Sequence, residues 1–128
     1  MSSKPERAPN SESQTDTFAP GSIVLVSLNS PREKFWGMIL ELAPAGVSLR
    51  GIELNCFEDF LRQVKAGDPV TPNAVFFPMH RVERIELDSH NGDIPSLQAR
   101  FARNTGCEFH EVLQGSLRNR KTHAERST

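Results

Sequence analysis

Short apolar runs between residues 22 and 88 restrict the fold of this chain more than any other feature. The run IVLVSL at Ile23–Leu28 is rich in β-branched residues and too short for a buried helix, so it predicts a core strand. The turn formers of NSPRE and APAG separate it from KFWGMILEL and VSLRGIEL, and AVFFPMH and RVERIEL follow. We therefore predict five short strands, with a bulge or sharp bend at Gly37 in the second.

One amphipathic helix is predicted over residues 55–66, between the third and fourth strands. Asn55 is expected to cap it, with Glu58 three residues later as in a capping box, and Gly67 is expected to end it. Its apolar residues have the spacing i, i+3, i+4 and i+7, which places them on one face: Phe57, Phe60, Leu61 and Val64.

A C-terminal helical extension is predicted over residues 93–117. DIPSLQARFARNTG reads as a helix with Asp93 or Ser96 near its N-cap and Gly106 as its stop. CEFHEVLQG predicts one or two further helical turns, with its apolar residues on one side.

Both ends of the chain are polar. Residues 1–20 are rich in Ser, Pro, Thr and charge and predict a disordered tail, and residues 118–128 predict a flexible basic tail. The N-terminus has no apolar stretch typical of a signal peptide, and no run approaches the ~18 apolar residues that span a bilayer. The net charge of −1 gives no overall attraction to nucleic acid or an anionic membrane. We expect a cytoplasmic protein with no membrane partner.

The predicted fold class is mainly β with added helices. Five short, bent strands suggest a small closed barrel, because closure removes the exposed edges that a flat sheet presents. We therefore predict a five-stranded small β-barrel domain over residues 21–88, with the helix inserted between strands 3 and 4 and the C-terminal helices outside it.

This pattern resembles the Sm-like family, which includes the bacterial host-factor RNA chaperones, over about residues 22–88. The resemblance rests on IVLVSL, on FWGMILEL with its Gly37, on VSLRGI and on VFFPMHRVERIEL. In that family the last corner contacts RNA, and the last two strands pair between subunits into a ring. The resemblance implies that His80 and Arg81 face a uridine-rich strand or a partner. An SH3-like barrel shares the same hydrophobic patterning. The APAG turn lacks the family's base-holding Asp and Asn, the N-terminal helix is missing, and the inserted helix is additional.

Two further pairs are candidate contact residues. Arg100 and Arg103 share a helical face and could touch phosphates, although a solvated helix surface is the favoured explanation. Phe35 and Trp36 are neighbours on opposite faces of the second strand. One of them is therefore an exposed interface aromatic, unless the sheet is covered on both sides.

Metal and cofactor sites are not predicted. None of the four histidines has a His or Cys neighbour at helical spacing, apart from His110 three residues after Cys107, and a closed zinc site needs four ligands. Cys56 and Cys107 form no CxxC pair and predict free thiols, with a single disulfide between them as the alternative. No glycine-rich phosphate loop or GxSxG motif is present, so an enzyme is the least favoured interpretation and no cofactor is expected.

The sequence as a whole favours a non-catalytic interaction or regulatory module of a bacterial-type cytoplasm. It is expected to bind a protein partner, or itself, through the edge of the barrel. The alternative is an Sm-like single-stranded RNA-binding protein that uses the corner at His80 and Arg81, and an enzyme is a second alternative.

Overall fold

The computed structural model describes residues 17–114, which form one antiparallel sheet of five strands with helices packed on it. The strands are β1 (Ile23–Leu28), β2 (Glu33–Ala43), β3 (Gly46–Glu53), β4 (Ala74–Pro78) and β5 (Val82–Leu87). The helices are α1 (Phe57–Lys65), α2 (Leu97–Thr105) and α3 (Phe109–Leu113), and 3-10 turns occupy Leu54–Cys56 and Met79–Arg81. The mainly β prediction with added helices is confirmed. The predicted closed barrel is not confirmed, because the sheet order is β4-β3-β2-β1-β5, so that β4 and β5 are its two edges and the sheet is not closed.

The described chain starts within the predicted N-terminal tail. The Ser22 hydroxyl donates to the Thr17 carbonyl and accepts from the Ala19 N–H, so residues 17–20 form a turn on the fold. The rest of the predicted tails and of the helical extension lies outside the described residues: residues 1–16, 115–117 and 118–128.

The sheet is strongly curled along β2. Its 11 residues would span about 35 Å if they were straight. One short 3-10 turn nevertheless reaches the turns at both ends of β2. The Met79 N–H donates to the Ala45 carbonyl at 2.8 Å, and the Arg81 carbonyl accepts from the Asn29 N–H at 2.9 Å. Since two residues of 3-10 helix advance only about 4 Å, the two ends of β2 must be brought close together.

Two facing glycines allow this curvature. Gly37 of β2 lies opposite Gly51 of β3, and a Cβ on Gly37 would overlap the Arg50 carbonyl oxygen and lie 2.6 Å from the Gly51 Cα. Of the bulge or sharp bend predicted at Gly37, the bulge is wrong, because the register shift lies further along β2, between Ile39 and Glu41. The close approach of two backbones is the reason that no side chain fits at Gly37.

The curl creates a core on the concave face of the sheet. Residues from all five strands meet there, because the partly buried Val82, Ile85 and Leu87 of β5 pack against the buried cluster of the other strands. The sheet therefore wraps around its own apolar side chains. The buried members are Val24, Val26, Leu28, Ile39, Val47, Leu49 and Phe77.

The helices cover the convex face and begin and end at identifiable signals. The Ser96 hydroxyl accepts from the Ala99 N–H at the start of α2, and Gly106 ends that helix with a left-handed φ of 76°, both as predicted. The predicted cap of α1 is wrong, because a 3-10 turn precedes the helix and the Asn55 amide donates to Glu53 instead of capping. The predicted apolar face of α1 is confirmed, and all four residues are buried: Phe57, Phe60, Leu61 and Val64.

Trp36 lies at the centre of the convex core and is fully buried. Its ring stacks on Phe109 of α3 at 3.7 Å and meets Phe57 of α1 edge-on at 5.3 Å. Phe101 of α2 lies 6.0 Å away, so one side chain of β2 touches a ring from each helix. Aromatic pairs at these separations add to the free energy gained from burial alone.

Asp88, directly after β5, completes this arrangement. Its carboxylate accepts the Trp36 indole N–H at 3.1 Å and the backbone N–H groups of Leu97 and Gln98 at 2.8 Å each. One side chain therefore caps α2 and satisfies the buried indole.

Replacing Asp88 by Ala should remove the acceptor of the Leu97 and Gln98 N–H groups and the indole acceptor together. We expect the free energy of unfolding to fall by about 2–4 kcal/mol, measured by urea denaturation. The exposed Asp93 is the matched control, and Asp93→Ala should stay within about 0.5 kcal/mol of the parent. Equal losses in the two variants would contradict the role given to Asp88.

A second stability test addresses the glycine pair. Gly37→Ala places a methyl group against the β3 backbone and should cost about 3 kcal/mol or more, or prevent folding. Gly92 has open space around its Cβ position but a φ of +61°, so Gly92→Ala should cost only about 1 kcal/mol. Thermal and urea unfolding of both variants measure the difference, and a Gly37→Ala protein as stable as Gly92→Ala would show that β2 and β3 are further apart.

Candidate functional site

Arg81 is engaged within the fold. Its Nε donates to the Asn29 carbonyl at 3.0 Å, and its Nη2 donates to the Pro31 carbonyl and to the Glu33 carboxylate at 3.1 Å each. The side chain is 21% exposed. These contacts connect the 3-10 turn to the β1–β2 turn. The guanidinium that was predicted to face a ligand therefore donates to groups within the fold instead.

His80 lies in the middle of the same turn and is exposed. It makes no hydrogen bond or ion pair with any other residue in the 17–114 range. Of the two predicted corner residues, His80 is therefore the one whose side chain is available.

Arg100 and Arg103 belong to a different part of the molecule. Arg100 donates to the Glu58 carboxylate at 3.2 Å and lies 4.9 Å from the centre of the Phe57 ring, while Arg103 is exposed. Their helix α2 packs on α1 and α3, whereas the His80 turn packs on β3. The predicted basic residues and His80 therefore lie on separate elements and do not form one surface.

The prediction that Phe35 or Trp36 forms an exposed patch is corrected by the structure. Trp36 is fully buried under the helices, and Phe35 packs on Phe77 in the concave core with ring centres 4.8 Å apart. The sheet is covered on both faces, so both aromatics are part of the core. The exposed aromatic residue of the sheet is Phe76, with 55% of its surface accessible.

Phe76 lies on β4, whose backbone presents a free edge. Hydrogen-bonded and non-hydrogen-bonded pairs alternate along an antiparallel ladder. The Met79 N–H donates to the Ala45 carbonyl, and the Gly51 N–H donates to the Asn73 carbonyl, so these two pairs fix the alternation. Within β4 the residues that bond to β3 are Val75 and Phe77, and those whose backbone groups point away from the sheet are Ala74, Phe76 and Pro78.

The side chains of β4 leave this edge accessible. AVFFP contains no charged residue. The Phe76 ring leans over β3, because a Cβ on Gly46 would lie 2.6 Å from its Cζ atom. The ring therefore turns towards the sheet and leaves the outward backbone groups of β4 uncovered.

The opposite edge differs in charge. β5 carries Glu83, Arg84 and Glu86, and an ion pair of 3.1 Å joins Arg84 to Glu86. Charged side chains on an edge strand discourage pairing with another strand, since pairing would remove them from water. β4 is therefore the edge strand without charged side chains that would oppose pairing with another strand.

A cleft beside the β1–β2 turn favours neither an anionic nor a cationic ligand. The cleft of about 330 Å³ is lined by both signs of charge, with Arg32, Lys34 and Arg84 next to Glu33 and Glu83. Residues 17–114 contain no group of three His, Cys, Asp or Glu side chains placed to hold a metal ion. Within the same range, every helix is too short or too polar to cross a bilayer.

The comparisons with known proteins yielded no match to any family model, curated protein or solved structure. The choice of a functional site therefore depends on the geometry described above.

The sequence predicted binding through the edge of the barrel but did not identify β4 as that edge, although the signal was present. AVFFP is uncharged and ends in a proline, whereas VERIEL contains the charged residues Glu83, Arg84 and Glu86. What the sequence could not supply was the strand order, which makes these two segments the edges.

The different roles of the corner residues can be tested by stability. Arg81→Ala should lower the free energy of unfolding by about 1–3 kcal/mol, because two carbonyls and Glu33 lose their charged donor. His80→Ala should change it by less than about 0.5 kcal/mol. Urea denaturation of both variants measures the difference. If the free energy of unfolding of Arg81→Ala equals that of the parent protein, the Arg81 side chain is not needed by the fold and is available to contact a ligand.

Proposed function

We propose that this protein is a non-catalytic interaction module, a regulator or adaptor, that binds a protein partner or another copy of itself through the β4 edge. One observation carries the proposal: β4 is an uncharged edge strand with free backbone groups, and it carries the exposed Phe76. Strand addition at such an edge takes its affinity from main-chain hydrogen bonds and its specificity from the side chains next to them.

We further propose that the curled sheet is a small, open barrel of the Sm-like or SH3-like kind. The curvature along β2 and a concave core shared by all five strands support this. The opening between β4 and β5 is what leaves the β4 backbone free to accept another strand.

Single-stranded RNA binding is the second candidate, and the exposed His80 is the observation that favours it. It receives less support, because Arg81 and Arg100 make ion pairs and hydrogen bonds within the fold. Phosphate contacts would have to come from other basic residues.

A charge on the β4 edge tests the proposed function. Ala74 is exposed and lies opposite Arg50 of β3, so Ala74→Glu should be accommodated within the sheet while placing a carboxylate at the edge. We expect this variant to lose self-association in light scattering and to lose any partner that the parent protein retains in a pull-down. Gln63→Glu is the matched control, since it adds the same charge at an exposed position of α1.

Two results would contradict this assignment. Association that survives in Ala74→Glu would place the interaction elsewhere. Salt-sensitive binding of oligo-uridine that is lost in His80→Ala, and kept in Ala74→Glu, would favour the RNA candidate.

A further inference from the structure

The β4 edge offers a short and sharply limited set of backbone groups. Ala74 and Phe76 each direct an N–H and a C=O outward, whereas Pro78 has only a C=O to offer. At the other end Pro72 also lacks an N–H, and its carbonyl already accepts from Arg50 Nη1 at 3.0 Å. The usable edge is therefore bounded by two prolines.

These groups are self-complementary about a two-fold axis through Val75. If two copies of β4 pair in antiparallel orientation, Ala74 lies opposite Phe76 of the partner subunit, and Phe76 lies opposite Ala74 of the partner subunit. Both are hydrogen-bonded positions, so each pair exchanges two bonds. All outward N–H groups of both edges are then satisfied. Pro78 lies opposite Pro72 of the partner subunit, and neither residue has a donor that is left unpaired.

The side chains fit the same register. Phe76 lies beside Ala74 of the partner subunit, so a large side chain is next to a small one. No charged residue of β4 enters the contact. Pairing of β4 with β5 would instead bring the uncharged strand against Glu83, Arg84 and Glu86, with the cost of removing charges from water.

We propose that two copies of this chain form a two-fold dimer through β4, which joins their sheets into one continuous antiparallel sheet. This inference rests on the proposed function and names a second copy as the occupant of the edge. Because β4 has only 5 residues, the contact is small and the dimer forms in a concentration-dependent way.

Amide hydrogen exchange, measured by NMR across a dilution series of the full chain, tests the dimer residue by residue. The amides of Ala74 and Phe76 should exchange at least about fivefold more slowly at high concentration, since pairing removes them from water. Val75 and Phe77 bond to β3 in both states and should not change. Light scattering should show the mass rising from 14.3 kDa to twice that value.

The outward amides of β5 provide the contrast. The Asp88 N–H donates to the Ile23 carbonyl, which fixes the β1–β5 alternation and points the Ile85 and Leu87 amides away from the sheet. In a two-fold β4 dimer these two amides exchange at the same rate at every concentration. Their protection together with that of Ala74 and Phe76, at a mass above two chains, would overturn the dimer in favour of head-to-tail pairing of β4 with β5.

Two variants complete the experiment. Ala74→Glu should remain a monomer with a fast-exchanging Phe76 amide, and Gln63→Glu should behave as the parent protein. If Ala74→Glu folds poorly, Ala74→Pro takes its place. It removes an outward N–H donor without removing a bond to β3, and it should also stay monomeric.

The remaining outcomes distinguish the β4 dimer from the proposed binding function on which it rests. A parent protein that stays at 14.3 kDa with unprotected Ala74 and Phe76 amides overturns the dimer. If a partner is then retained by the parent and lost in Ala74→Glu, the edge-binding function stands without self-association. If no partner depends on Ala74, both are overturned.

Discussion

The Asp88 carboxylate joins the sheet to α2, because it accepts both the Trp36 indole N–H and the backbone N–H groups of Leu97 and Gln98. A buried indole N–H without an acceptor would cost about 1–3 kcal/mol, and Asp88 removes that cost while capping α2. The position of Asp88 is itself set by the sheet, because its N–H donates to the Ile23 carbonyl at 3.0 Å. The start of α2 is therefore determined by the register of β5 on β1. A slip of one residue would turn Asp88 away from the indole and expose the apolar face of β5.

The curl of the sheet explains why the aromatic neighbours Phe35 and Trp36 both pack into a core, with Trp36 fully buried and Phe35 partly buried. A flat sheet with helices on one side would bury only one of them. Here the concave face packs on itself and the convex face packs on three helices, so alternate residues of β2 enter two different cores. The free backbone of the sheet is confined to its edges.

Local features of this fold could be predicted from the sequence, and long-range ones could not. The helical face of Phe57, the Ser96 cap and the Gly106 stop depend on residues within a few positions, and each is confirmed. The Asn55 cap failed because a 3-10 turn stands between β3 and α1 and shifts the helix start. Arg81 was misread because its partners lie about 50 positions earlier in the chain.

The candidate site follows the same division between local and long-range information. The absence of charge in AVFFP and the charges in VERIEL are visible in the sequence. Their meaning depends on the order β4-β3-β2-β1-β5, which places one segment at each edge. Neither composition nor periodicity supplies that order, because the pairing of β5 with β1 joins residues about 60 positions apart.

The difference in charge between the two edges also affects whether an assembly of copies stops at a pair or continues to grow. A contact between β4 and β5 is heterologous, so it continues from copy to copy until a ring closes or a fibre grows. A contact between two β4 strands uses the same surface on both copies and ends with the pair. The charges of Glu83, Arg84 and Glu86 disfavour the first arrangement, and the prolines at positions 72 and 78 limit the second to one short segment. An edge of this kind can associate with a strand of its own type without becoming a template for open-ended aggregation.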